Sequence, residues 1–263
     1  MLGRSPVLSV GGIIPRARLL TVTVMVCVAA LGTAARADLV VDYTVDVGGN
    51  YPNEIHGVSA RATYKIVGTE LTILLENTST VVPMDFDDTD ALLVSLGLNL
   101  PVNIAGGDLA VIGEGSCGLG TWSSLREGDS VAEEWLWTND GGGDLMERFS
   151  HVISTSNEQG NGTQTLFGGG LGDVGGPYGG IVRPDGTIKP SGRAVKSSIF
   201  FTLTLADSLT ELQLAAAVRN SMIEFGSDQK YICPVPTAIP GPGAALLGML
   251  ALPMIAATRR RSS

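Results

Sequence analysis

Ser198-Ile199-Phe200-Phe201-Thr202-Leu203-Thr204-Leu205 places Ile199, Phe201, Leu203 and Leu205 on one side of an extended chain and Phe200, Thr202 and Thr204 on the other. Successive side chains of a strand point to opposite faces, so this period of two predicts a half-buried strand. The same alternation, rich in Val, Ile, Thr and Phe, recurs at Leu39 to Val45, Ser59 to Val67, Leu71 to Glu76 and Met222 to Phe225. Between such segments the chain is rich in glycine, with runs at Gly141-Gly142-Gly143, Gly168-Gly169-Gly170 and Gly175 to Gly180. Short alternating strands joined by Gly-rich loops predict an all-β fold, an antiparallel β-sandwich of jelly-roll type. Only two stretches invite a helix. Val131 to Trp137 is too rich in Trp and Val to separate from a strand, whereas Ser208-Leu209-Thr210-Glu211 has the spacing of a capping box and leads into Leu212 to Ala217, a run of good helix formers.

Working outward, both ends carry addresses. Arg4, Arg16 and Arg18 precede an apolar run from Leu19 to Leu31, and Ala35-Arg36-Ala37 stands just ahead of Asp38. A charged start, an apolar middle and an A-x-A exit make a secretory signal peptide over residues 1–37, cut after Ala37. Its apolar run of about 13 residues falls short of the roughly 20 that a span needs. At the other end, Pro240-Gly241-Pro242 is followed by an apolar run from Gly243 to Ala257 and then Arg259-Arg260-Arg261. The Pro/Gly breaker ends the preceding fold, the apolar run prefers lipid, and the arginines hold the terminus on the cytoplasmic side. Residues 235–263 therefore read as a linker and a C-terminal sorting or anchor signal with a short hydrophobic helix. The β domain is left with 38–234.

All 26 acidic residues lie between the two signals, together with only ten of the 17 basic ones, so the mature body carries a net charge of −16. That charge argues against nucleic acid as a partner, because a basic footprint is missing. Cys27 belongs to the signal, which leaves Cys117 and Cys233. Two thiols of one exported domain form a candidate disulfide.

The tail resembles the PEP-CTERM signal of bacterial exosortase-dependent proteins, with Gly241 where that family usually has Glu. The body resembles exported proteins of the same class. Three stretches carry the likeness: Ala62-Thr63-Tyr64 with Leu71-Thr72-Ile73 and Asn77-Thr78-Ser79; the run from Ala91 to Pro101; and Gly176-Pro177-Tyr178-Gly179-Gly180-Ile181 with the later Ile223-Glu224-Phe225-Gly226. Together they are similar to β-sandwich surface proteins of the XDD type. The resemblance implies a surface or matrix protein of biofilm character, processed by a sorting protease of the inner membrane and held in that membrane at least transiently by its tail. It implies no catalytic residue.

The residues themselves offer several candidate sites. Asp85-Phe86-Asp87-Asp88-Thr89-Asp90 is the densest acidic cluster, and closely spaced carboxylates in a loop can hold calcium. The spacing is not that of an EF-hand, so Asp85, Asp87, Asp88 and Asp90 serve equally as solvated loop residues. Gly113-Glu114-Gly115-Ser116-Cys117-Gly118 satisfies G-x-G-x-x-G, yet Leu119 to Ser124 lacks the helical pattern a dinucleotide fingerprint requires, and a Gly-rich hairpin loop fits better. His56 and His151 have no partner at metal-ligand spacing. Ser116 lacks the nucleophile elbow, and the adjacent Glu133 and Glu134 point apart if they lie on a strand. No enzyme is expected. Trp135 and Trp137 would share a face of a strand, where stacked rings could hold a sugar; the alternative is that they fill the core. The sequence thus predicts an exported structural or adhesive surface protein, with an extracellular carbohydrate- or calcium-binding module as the alternative and polysaccharide as its partner; a secreted hydrolase, in which Glu133 or Glu134 pairs with a distant carboxylate such as Asp144 or Asp173, ranks behind both.

Overall fold

The structure is a computed structural model that describes residues 38–46, 57–82, 91–139, 149–155, 178–226 and 230–235. In chain order the described residues form β1 (Leu39–Asp46), β2 (Ala60–Val67), β3 (Glu70–Asn77), β4 (Leu93–Leu98), β5 (Ile104–Ile112), β6 (Gly118–Gly120), β7 (Trp135–Thr138), β8 (His151–Thr155), β9 (Tyr178–Val182), β10 (Arg193–Lys196), β11 (Ser198–Leu205), α1 (Glu211–Arg219), β12 (Met222–Phe225) and β13 (Lys230–Pro234). The fold is all-β with a single described helix. Both terminal signals lie outside the described residues, as do Ala35, Ala37, Pro240, Gly241, Pro242, Arg259, Arg260 and Arg261.

One continuous hydrogen-bonded sheet, rather than two separate ones, contains all thirteen strands. Its order is β5-β11-β3-β2-β1-β13-β12-β4-β9-β10-β6, with β8 also pairing β4 and β7 pairing β8. Pairing is antiparallel except between β9 and β10, which run parallel. Residues 183–192 supply the return connection that parallel neighbours need.

The sheet curls until its arms meet. Ser197 alone separates β10 from β11, although these strands sit near opposite ends of the order, and it does so at φ 70°. Trp135 of β7 packs edge-on against Phe201 of β11, with ring centroids 5.1 Å apart. Asn77 at the end of β3 donates through Nδ2 to the carbonyls of Ile181 in β9 (2.8 Å) and Ala91 (3.0 Å). Register shifts in the β1–β13, β5–β11, β4–β12 and β9–β10 pairs supply the bending, since a bulge raises local twist.

Inside the curl lies the core. Tyr64 and Ile66 of β2, Leu71, Ile73 and Leu75 of β3, and Ile199, Phe201, Leu203 and Leu205 of β11 all face it, as the alternation predicts. Strand β4 is buried on both faces. Leu93 and Leu96 join the main core, Val94 joins a small cluster with Leu92, Val182 and Ala194, and the ring of Phe149 covers Gly97, where a Cβ would come within 2.8 Å of it.

Helix α1 forms where the sequence places it, but its cap sits two residues later than Ser208-x-x-Glu211 suggests. Thr210 is the N-cap: its Oγ1 accepts from the Gln213 backbone N–H at 3.2 Å, and Gln213 Oε1 accepts from the Thr210 N–H at 2.9 Å. Burial decides between the two registers. With Thr210 as cap, Leu209 and Leu214 flank the first turn and both enter the core, the hydrophobic staple that fixes the chain's entry.

Candidate functional site

Among the described residues β5 begins one end of the sheet path and β7 pairs with no strand but β8, so two strand edges face each other across the mouth of the curl. Above the mouth, Val131 N–H donates to the Ala110 carbonyl (2.8 Å) and Ile112 N–H to the Asp129 carbonyl (3.0 Å). At the other end the side chain of Asn139 stands in for a strand. Its Oδ1 accepts from Ile104 N–H at 2.7 Å, and its Nδ2 donates to the Ile104 carbonyl at 2.8 Å. Between these closures the edges stay apart.

The gap originates in the sequence of β5. Thr202 lies opposite Leu109 and Thr204 opposite Gly106, so Gly107 and Asp108 together face Leu203. This two-against-one arrangement is a bulge, a device found at sheet edges and beside binding sites. Gly107 carries no side chain to fill the opening. A Cβ there would lie 2.6 Å from Leu203 Cδ2 and 3.2 Å from Trp137 Nε1. The result is a groove of about 370 Å³ lined by Gly107, Ala110, Trp135, Trp137, Phe201 and Thr202, among others.

Both tryptophans that the sequence singles out meet at this groove, and they differ in role. Trp135 is only 5% exposed, packs on Phe201, and donates through Nε1 to the Gly179 carbonyl at 3.1 Å. It forms the floor. Trp137 is half-buried, and its Nε1 reaches the Gly107 carbonyl across the gap at 3.3 Å, while Leu136 stays exposed on the other face of the strand. An indole over an apolar floor suits a flat, uncharged group.

The remaining candidates disperse. Asp85, Asp87, Asp88 and Asp90 lie outside the described residues, as does His56. Among the described residues no group of three or more His, Cys, Asp or Glu side chains could hold a metal ion. Cys117, beside β6, and Cys233, in β13, are not joined by a disulfide. The loop from Gly113 makes a tight turn, with Ser116 N–H donating to the Gly113 carbonyl at 3.1 Å, and runs into β6 rather than a helix. Glu134 is buried and paired with Arg193 at 2.9 Å, whereas Glu133 is exposed. His151 is buried in β8 with its Nδ1 2.7 Å from Ser150 Oγ, and burial holds its imidazole below the usual value.

Sequence reasoning missed Gly107 and Asn139, which give the groove its width and its end wall. The doublet Gly106-Gly107 inside a strand-like run is a legible bulge signal. Asn139 carries no comparable mark, because a side-chain amide that mimics a strand is visible only once β5 lies opposite.

Comparison with protein families, curated proteins and solved structures finds no match.

Proposed function

We propose that the protein is an exported structural or adhesive component of a bacterial surface or extracellular matrix, without catalysis, and that its curled sheet is a jelly-roll-like sandwich. The carrying observation is the tail, Pro240-Gly241-Pro242 followed by an apolar run and Arg259-Arg260-Arg261, paired with a signal ending at Ala37. Chains so marked cross the inner membrane and are held there for processing by a sorting protease. An acidic all-β body suits an extracellular setting, where it stays soluble among polysaccharide. Mass spectrometry of the native envelope product tests the reading. An N-terminus at Asp38 and loss of the segment after Pro242 are expected. A cytosolic product with Met1 and Ser263 intact overturns it.

One observation favours a second activity, the groove floored by Trp135 and walled by Trp137. In this reading the groove takes the apolar face of a neutral sugar against Trp137. Titration of the full chain with oligosaccharides, followed by tryptophan fluorescence, should show a response that Trp137→Ala abolishes. A response unchanged in that variant excludes the groove. The aspartates from Asp85 to Asp90 remain a separate calcium candidate, tested by repeating the titration with and without calcium.

A further inference from the structure

The sheet also presents an apolar row on the face turned away from the core. Val40 pairs with Thr63, Thr63 with Leu74, Leu74 with Phe200, and Phe200 with Val111, so these five side chains stand side by side across β1, β2, β3, β11 and β5. Their strand neighbours Val41, Ala62, Ile73, Phe201 and Ala110 fill the core, so alternation turns the row outward. Val40 is 47% exposed and the other four are half-buried. An antiparallel sheet with one wet face normally sets polar residues there, yet four of these five are apolar. Helix α1 is not the missing layer, since Leu214, Ala217 and Val218 belong to the core.

Charges frame the row. On one side the register aligns Asp42, Arg61 and Glu76; on the other it aligns Lys65, Thr72 and Thr202. Arg61 is exposed and is bonded to Asp42 at 2.7 Å.

We propose that this face docks a second copy of the same chain, sheet upon sheet, about a twofold axis that runs parallel to the strands between β2 and β3. Such an axis exchanges β2 with β3 and β1 with β11. Arg61 then lies over Glu76 of the second copy, twice by symmetry, while Val40 covers Phe200 and Thr63 covers Leu74. The other in-plane axis, along the row, would set Arg61 over Lys65, and like charges oppose it. Charge complementarity therefore selects one stacking. The four strands so exchanged, β1, β2, β3 and β11, have eight residues each and present a face of about 19 by 27 Å, or roughly 1,000 Å² counted over both copies. That area is about the least a specific interface needs.

The inference rests on the body alone and stands or falls independently of export. Its test is charge exchange in the full chain, kept in one non-ionic detergent and sized by sedimentation velocity. The unmodified chain should dimerise. Arg61→Glu and Glu76→Arg should each raise the dimer Kd about tenfold or more, because every crossed pair becomes like-charged. An equal mixture of the two variants should recover the original affinity as a heterodimer, since opposite charges face each other again. Phe200→Lys, checked for folding by circular dichroism, should be monomeric. A monomeric unmodified chain overturns the proposal. So does a dimer indifferent to the swaps, which would be held elsewhere, or a mixture of folded variants that fails to associate.

Discussion

Two buried polar residues bear more on stability than any exposed charge. Tyr43 Oη sits 2.7 Å from Tyr64 Oη and 2.6 Å from Ser221 Oγ, and Ser221 donates to the Val218 carbonyl at 2.6 Å, so a hydroxyl chain ties β1 and β2 to the end of α1. Burial pushes the Tyr43 phenol up to about 12, with its hydrogen bonds to Ser221 and Tyr64 opposing the shift. Tyr43→Phe keeps the ring but removes its bonds to Tyr64 Oη and Ser221 Oγ, while Ser221 keeps the Val218 carbonyl, and a loss of about 1–3 kcal/mol in urea unfolding is expected. Glu224 is a different case. Only 1% exposed on β12, it has the Ser95 hydroxyl as hydrogen-bond partner and Tyr231 opposite it on β13, while its second oxygen meets no donor. Burial raises its carboxyl well above the usual value, with the Ser95 bond opposing weakly. The folded chain therefore keeps a proton that the unfolded chain releases above about 4.5, so stability is full below that pH and falls as pH rises toward the folded value. His151 acts oppositely, since its lowered imidazole costs stability as pH falls below 6.5. The difference between the parent and Glu224→Gln isolates the carboxyl. The variant should be the more stable at mildly alkaline pH and lose that advantage in acid, as read from urea midpoints, and a difference that does not vary with pH would contradict this account.

Elements carried by local pattern were legible and those carried by distant partners were not. β11 and β12 occupy the segments the alternation marks, and β1, β2 and β3 differ only at their ends. Strand β4 shows no alternation because both its faces are covered, β6 is too short to show a period, and β10 sets its two apolar residues, Ala194 and Val195, side by side. Val131 to Trp137, ambiguous as sequence, resolves as a turn followed by β7, because only from Trp135 does β8 supply a pairing edge. The groove divides likewise: its two tryptophans were visible, but the choice between floor and wall depends on which ring Phe201 reaches. For α1, Thr210→Ala should cost about 1 kcal/mol, whereas Ser208→Ala should change little, a contrast that thermal unfolding of the two variants would register. Asn139→Ala removes both bonds to Ile104 and should cost about 1–3 kcal/mol while opening the end of the groove. Faster hydrogen exchange at Ile104 would mark the opening.

At the scale of the whole molecule the curl is the property least evident in the sequence, because it depends on a few links between arms that are far apart in strand order. Asn77 is the chief of these. It is 1% exposed, its Nδ2 bonds two carbonyls of the opposite arm, and its Oδ1 accepts from Ser79 N–H at 3.1 Å, so all its polar capacity near the core is used. A lone Asn in the core position of an otherwise apolar strand is a sequence signal for such a link, since a buried amide persists only where its bonds are met. Asn77→Leu keeps the branching at Cγ but leaves the Ala91 and Ile181 carbonyls without this donor, at a cost of about 2–4 kcal/mol. The pattern of the loss matters more than its size. Ile181 belongs to β9, whose remaining neighbours are β4 and the short β10–β6 pair, whereas β3 stays clamped between β2 and β11. Exchange of backbone amides in the variant should therefore accelerate first in β9 and β10 and leave β2, β3 and β11 protected. Uniform acceleration across all five strands would mean that the arms unfold as one cooperative unit and that Asn77 is not the link between them.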